Sequence, residues 1–263
     1  MIDYVAEKRY HIEILPPKQN SEKLDEDLER FADKWQKVMD AGHIACVTDN
    51  AMGHLAFQAT ELIEELELPV QPDQVHVHLN TFHTKEDLDA ILGKCREYGI
   101  RDLLLVTGDG SERLPKLTPT DLGVESAGSV TSVDLLTYIQ REHPDAFDLG
   151  VAFNPYEPEE HEFEKMRRKV DAGARFVITQ PILEKNALVD RMRAEFGLPT
   201  VVEAWMSKKL HLLSECVGYE IPEDTEYDPI ATLKQIHAWY PDCGVYLAIL
   251  GFKTQYPILD QTW

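Results

Sequence analysis

Glu13, Thr48, His78, Asp109, Asn154 and Gln180 each lie in or just after a short apolar run of this chain. Glu13 shares a strand face with His11 and Leu15 by the two-residue alternation of an extended chain. A carboxylate on an interior face is costly to bury as an anion, so it is paired, protonated or open to a pocket. Strand ends facing a pocket are also where acids of raised pKa are built. Asp109 follows Val-Thr-Gly, and Gly108 lets the backbone approach a ligand, although TGDG reads equally well as a turn. Gln180 offers two donors and an acceptor, either to a heterocycle or to neighbouring backbone.

His76 and His78 share one face, which raises a metal or a hydrogen-bonded interior pair. Later runs supply no further His, Lys and Asp set of the kind that metal-dependent hydrolase barrels use, so no metal is expected. The absence of GxSxG, HExxH and a Walker-type phosphate loop leaves serine, cysteine and zinc-peptidase chemistry without support.

Positioning these groups requires a repeating scaffold. The apolar runs recur about every 30 residues with helix-like segments between them, which predicts a (β/α)8 TIM barrel with its chemistry at the strand C-terminal ends. The predicted strands are RYHIEILP, HIACVTD, QVHVHLN, DLLLVTGD, DLGVAFNP, RFVITQP, TVVEAWM and GVYLAILG. Ser21 is expected to cap a helix running to about Ala41, and a second helix is expected from about Met52 to Leu66. Thr84 with Asp87 reads as a capping box for the third. A long connection over roughly residues 110 to 128 reads as a lid or binding loop. Only FKTQYPILDQTW follows the last strand, so the final helix is expected to be shortened or missing. An open doubly wound sheet is the alternative, opposed by the lack of GxGxxG after the first strand.

The length suits one barrel domain over residues 1–263. MIDYVAEKRYHIEI lacks the basic flank and apolar centre of a signal peptide, and no stretch of about 18 uncharged apolar residues exists. A cytoplasmic protein is expected. Cys46, Cys95, Cys216 and Cys243 form no CxxC pair and are expected to be reduced and mostly buried. A net charge of -21 argues against nucleic-acid and anionic-membrane partners.

Several segments together resemble one family. HIEILPPK looks like the first-strand motif of methylenetetrahydrofolate reductases, where a glutamate precedes a Pro-Pro pair. CVTDN resembles the second-strand threonine segment, HVHLNT with FHTKEDL the third, and GIRDLLLVTGDG the fourth-strand Arg-Gly-Asp motif. KVDAGARFVITQ matches most closely.

The resemblance implies an oxidoreductase of one-carbon metabolism and methionine biosynthesis. Such an enzyme passes a hydride from NAD(P)H through FAD to 5,10-methylenetetrahydrofolate, giving 5-methyltetrahydrofolate. It implies that Glu13 protonates the folate nitrogen as the methylene bridge opens to an iminium. Asp109 favours the cationic intermediate, and Gln180 holds the pterin. Thr48, His78, Gly108, Asn154, His161 and Lys169 fall at or near flavin-contacting positions, with Ser132 on the helix after the long loop.

The departures from the family pattern are specific. Thr107 stands where the family has arginine, which leaves Arg113 or Lys116 to meet the cofactor diphosphate. Asn154 replaces an aromatic residue in FNPYEPEEH, and EAWMSKK replaces a Pro-Gly-Ile-Leu-Pro segment. Alternatives on the same barrel are a flavin-free folate reductase, a tetrahydrofolate-dependent methyltransferase and a noncatalytic subunit. Self-association through the C-terminal side is expected.

Overall fold

A computed structural model of the protein describes residues 9–125 and 128–261. Its strands run in sequence order around a closed barrel, with helices between them. The strands are β1 (Tyr10–Ile14), β2 (Ile44–Val47), β3 (Val75–Leu79), β4 (Asp102–Leu105), β5 (Asp148–Phe153), β6 (Phe176–Pro181), β7 (Thr200–Trp205) and β8 (Gly244–Ala248). The helices are α1 (Leu24–Asp40), α2 (Ala59–Glu65), α3 (Lys85–Glu97), α4 (Pro119–Leu122), α5 (Ser132–Glu142), α6 (Glu159–Asp171), α7 (Ala187–Phe196), α8 (Leu210–Val217), α9 (Pro229–Trp239) and α10 (Phe252–Gln255). No helix among the described residues is long and apolar enough to cross a membrane. Two compact units can be distinguished.

The first unit takes in Ile14–Val151 and Arg168–Arg175. β2, β3, β4 and β5 pair in parallel, with Cys46 opposite His76, His78 opposite Leu104 and Leu105 opposite Val151. α1 buries Phe31, Trp35, Val38 and Met39 along one stripe, and the Trp35 Nε1 donates to the Pro69 carbonyl at 2.8 Å. Full burial of such side chains is worth about 1.5–3 kcal/mol each. Thr84, Thr118 and Thr131 each accept from the amide three residues on, forming capping boxes with Asp87, Asp121 and Asp134.

Two expectations for this unit need correction. Ser21 does not cap α1: its hydroxyl donates to Asp27 and accepts from the Lys23 amide, and Lys23 occupies the cap position without a side-chain bond. The second helix begins at Ala59 rather than near Met52, because Asn50 and Met52 adopt left-handed backbone angles (φ 44° and 57°) that end any helix there. The long connection holds α4, closed by Gly123. Residues 126 and 127 of that connection lie outside the described residues.

The second unit takes in β1 up to Glu13, Ala152–Arg167 and the chain from Phe176 onward. β1 pairs with β8, and β8 with β7, all in parallel. β6 and β7 carry a bulge, since Ile178 lies opposite Val201 but Pro181 lies opposite Glu203. Trp205, Leu210, Leu213, Val217 and Ala248 form a buried cluster against which Tyr156, Leu183 and Tyr227 pack. After β8 the described residues form α10 and a 3-10 turn (Tyr256–Gln261). Residues 262 and 263 lie outside the described residues.

Candidate active site

In the second unit, β1, β7 and β8 bring four polar side chains, His11, Glu13, Tyr246 and Glu203, to one face. His11 is the register partner of Tyr246, and Tyr246 is that of Glu203. Partners in adjacent parallel strands project to the same side. Tyr246 donates its hydroxyl proton to Glu13 Oε2 at 3.0 Å. Gly244 leaves room beneath, where an added Cβ would sit 3.3 Å from Val201 and 3.7 Å from the His11 Nε2.

Glu13 retains some solvent access but is surrounded largely by protein. That desolvation pushes its carboxyl up to about 7, against the opposing pull of the Tyr246 hydrogen bond. Glu203 is raised well above the usual carboxylate range, first by desolvation and then by the charge of Glu13. Glu13 therefore holds a proton that it can release near neutral pH, as a general acid requires.

Gln180 lies in the β6 bulge, half-buried. The bulge is fixed by Thr179, whose hydroxyl accepts from the Glu203 amide at 3.1 Å, and by the Ile182 amide, which donates to the Glu203 carbonyl. Asn154 uses its side-chain carbonyl to accept from the Tyr156 amide at 3.0 Å, and its own amide donates to the buried Glu162 at 2.9 Å. Its side-chain amide nitrogen bonds to no described residue. His161 is exposed on α6, and it is Glu162 that turns inward from that helix.

In the first unit the polar residues form a second network, centred on Asp49. Its Oδ2 accepts from the Asn80 amide and lies against the His83 Nε2, both at 2.7 Å, and its Oδ1 accepts from Gln58 at 2.7 Å. Asn80 returns a side-chain bond to the Asp49 carbonyl. Thr48 is buried and its hydroxyl has no partner among the described residues. His78 packs edge-on against His76 at 5.5 Å, and burial lowers its pKa to about 4 despite the charge of Asp49, which keeps the ring neutral.

Asp109 is exposed and accepts from the Met52 amide at 3.0 Å. Gly108 and Gly110 have φ of +88° and +64°, and a Cβ on Gly110 would fall 2.1 Å from Phe82. The close approach admits glycine there and no larger residue. The Thr107 hydroxyl accepts from the Ser132 amide at 3.2 Å, at the start of α5. Lys116 sits over the Phe82 ring at 5.2 Å, and Lys169 is buried on the last turn of α6. A separate cleft of about 380 Å³, lined by Gln19, Leu55, Gln58, His83 and Lys94 among others, holds none of the residues predicted from sequence.

A sequence profile described as methylenetetrahydrofolate reductase matches residues 2–244. The chain belongs to the methylenetetrahydrofolate reductase family. It is 28% identical over 203 residues to Methylenetetrahydrofolate reductase 1 of Schizosaccharomyces pombe (strain 972 / ATCC 24843), a match covering 73% of this chain and 32% of the relative. A second reductase of that yeast is 30% identical over 116 residues, 40% of this chain and 17% of the relative. The chain thus spans a third or less of the length of these curated relatives. Among solved structures, it resembles an uncharacterised Clostridium thermocellum protein that binds two copies of 5-methyl-5,6,7,8-tetrahydrofolic acid. That likeness has a TM-score of 0.59 at 13% identity and covers 97% of this chain and 94% of the other, which supports the barrel fold.

Family membership raises the question of a flavin. In the first unit, the Thr48 hydroxyl, which has no partner among the described residues, and the neutral His78 ring are hydrogen-bonding groups without charge, of a kind that fits a flavin ring. Lys116, one of the two cations left for the diphosphate in place of the family arginine, lies over the Phe82 ring on the long connection.

Sequence reasoning overlooked Glu203, Tyr246, Asp49 and His83. A signal for the first was available: TVVEAWM sets an acid inside an apolar strand, just as YHIEI does with Glu13. The Asp49 network has no comparable signature, because its bonds link residues up to 34 positions apart.

Proposed function

We propose that the chain reduces 5,10-methylenetetrahydrofolate to 5-methyltetrahydrofolate with NAD(P)H, with FAD held by Thr48, His78, Thr107, Gly108, Ser132, Asn154, His161 and Lys169. The observation that carries this reading is Glu13, an interior acid raised to about 7 and oriented by Tyr246. Glu13 gives its proton to the folate nitrogen as the C–N bond of the methylene bridge breaks, and the remaining nitrogen takes up the iminium charge. Asp109 contributes a negative charge that favours this cation, and Gln180 binds the pterin through its amide. FAD, when bound, supplies the relay that carries hydride from NAD(P)H to the iminium carbon. The binding of 5-methyl-5,6,7,8-tetrahydrofolic acid by the Clostridium protein is consistent with a folate pocket on this scaffold. The reading includes action in the cytoplasm, as a single-domain subunit of a homo-oligomer, in keeping with four free cysteines.

One observation favours a second reading, a flavin-free folate reductase or a tetrahydrofolate-dependent methyltransferase. Thr107 replaces a cationic contact, and its hydroxyl is already taken by the Ser132 amide. The visible absorption spectrum of the purified protein, with the released chromophore identified after denaturation, separates the two readings. Flavin bands and released FAD are the expected result. A colourless protein that takes up no added FAD sinks the flavin reading, and assaying NAD(P)H oxidation with methylenetetrahydrofolate then divides the remaining alternatives.

A further inference from the structure

Glu203 lies between the buried residues Val202 and Ala204 on β7 and points to the same face as Tyr246 and Glu13. Among the described residues no donor reaches its carboxyl, whereas Glu13 receives the Tyr246 hydroxyl. Beside it, the β6 bulge interrupts regular pairing between Ile178 and Pro181, and bulges of this kind re-aim side chains next to active sites.

The titratable groups on this face are His11 and Glu13 from β1, Tyr246 from β8 and Glu203 itself from β7. β6 contributes only the uncharged Thr179 and Gln180. Among the described residues, no lysine or arginine contributes to the electrostatics of either carboxyl. Two neighbouring carboxyls without a cation do not both ionise near neutral pH. The Tyr246 hydrogen bond makes Glu13 the better anion of the two.

We propose that Glu203 is a positioning residue acting through Glu13: the two share one proton across this face and so keep an acid available to the site. The proposal rests on the reading of Glu13 as the proton donor. In turnover, one proton leaves the pair for the folate nitrogen, which accepts it with the electron pair of the breaking C–N bond. Solvent then returns a proton to the pair.

The test is an infrared titration of the protonated-carboxyl band in the wild type, Glu203→Gln and Glu13→Gln, with the pH profile of folate reduction measured alongside. In the wild type, the last carboxyl deprotonates at least about one pH unit higher than in either variant, the threshold for coupled sites. The alkaline limb of the rate moves down by the same amount in Glu203→Gln, and Glu203→Asp restores it. Coincident infrared titrations in all three proteins overturn the pair. If the infrared shift is present but the wild type turns over no folate, the pair stands and the reductase reading falls. If folate is reduced without the infrared shift, the reverse holds. Should Glu203→Gln fail to fold, Glu13→Gln still reports on the pair, because removing the charge of Glu13 lets Glu203 ionise earlier.

Discussion

Glu13 ties catalysis to stability. In the unfolded chain it ionises near its ordinary value of 4.5, and in the folded protein at about 7. Between those values the folded state holds a proton that the unfolded state has lost. The stabilisation is therefore complete below about 4.5 and disappears as pH rises through about 7, a change on the order of 2–3 kcal/mol. Glu13→Gln, which keeps an acceptor for Tyr246 but never ionises, is expected to have a higher Tm than the wild type at pH 8. The two should converge at low pH, and a variant no more stable at pH 8 contradicts the assignment. The same substitution removes the proton donor, so kcat for folate reduction should fall by about 10²–10⁴-fold, read by NAD(P)H oxidation. An enzyme more stable and less active at once is the pattern of a site that accepts strain for its chemistry.

At the level of elements, the loops after β2 and β3 owe their shape to Asp49. It fixes the Asn80 amide, His83 and Gln58, all within 2.7 Å. Asp49→Ala leaves a buried amide and a buried imidazole without their acceptor and should cost about 3 kcal/mol or more. Urea denaturation checks this, and a loss under about 1 kcal/mol would show that the network contributes little.

Strand and helix order and the Thr84 capping box were legible because each rests on local spacing or a local hydrogen bond. The start of α2 was not, since residues 51–58 carry helix-compatible side chains while Asn50 and Met52 turn left-handed, the Met52 amide being drawn to Asp109 from another loop. Of the candidate site, Glu13 and Gln180 stood out as polar residues at apolar strand ends. Glu203 could have been read in the same way, but Tyr246 acquires its part only through a contact 233 residues away in sequence.

For the whole molecule, the excess of acidic residues over basic ones, 47 against 26, leaves 21 negative charges to repel one another in the folded state. Surface pairs such as Arg167 with Glu195 and Arg30 with Glu26 are solvent-exposed and offset little of this. Sodium chloride screens charges over about 10 Å at 0.1 M, so Tm at pH 8 should rise with added salt. A Tm that falls instead would mean that the ion pairs outweigh the general repulsion.

The β6 bulge sets a rule of parity for this barrel. β6 has two residues between Ile178 and Pro181 where β7 has one between Val201 and Glu203. Side chains alternate with a period of two, so a single-residue deletion within that interval would shorten no loop and break no helix. It would still exchange inside for outside at Gln180 relative to Glu203. A relative lacking one residue there would share the barrel while presenting a different wall to whatever binds beside Glu203. Alignments of such chains should accordingly be anchored on Pro181 and Glu203 rather than on the start of β6.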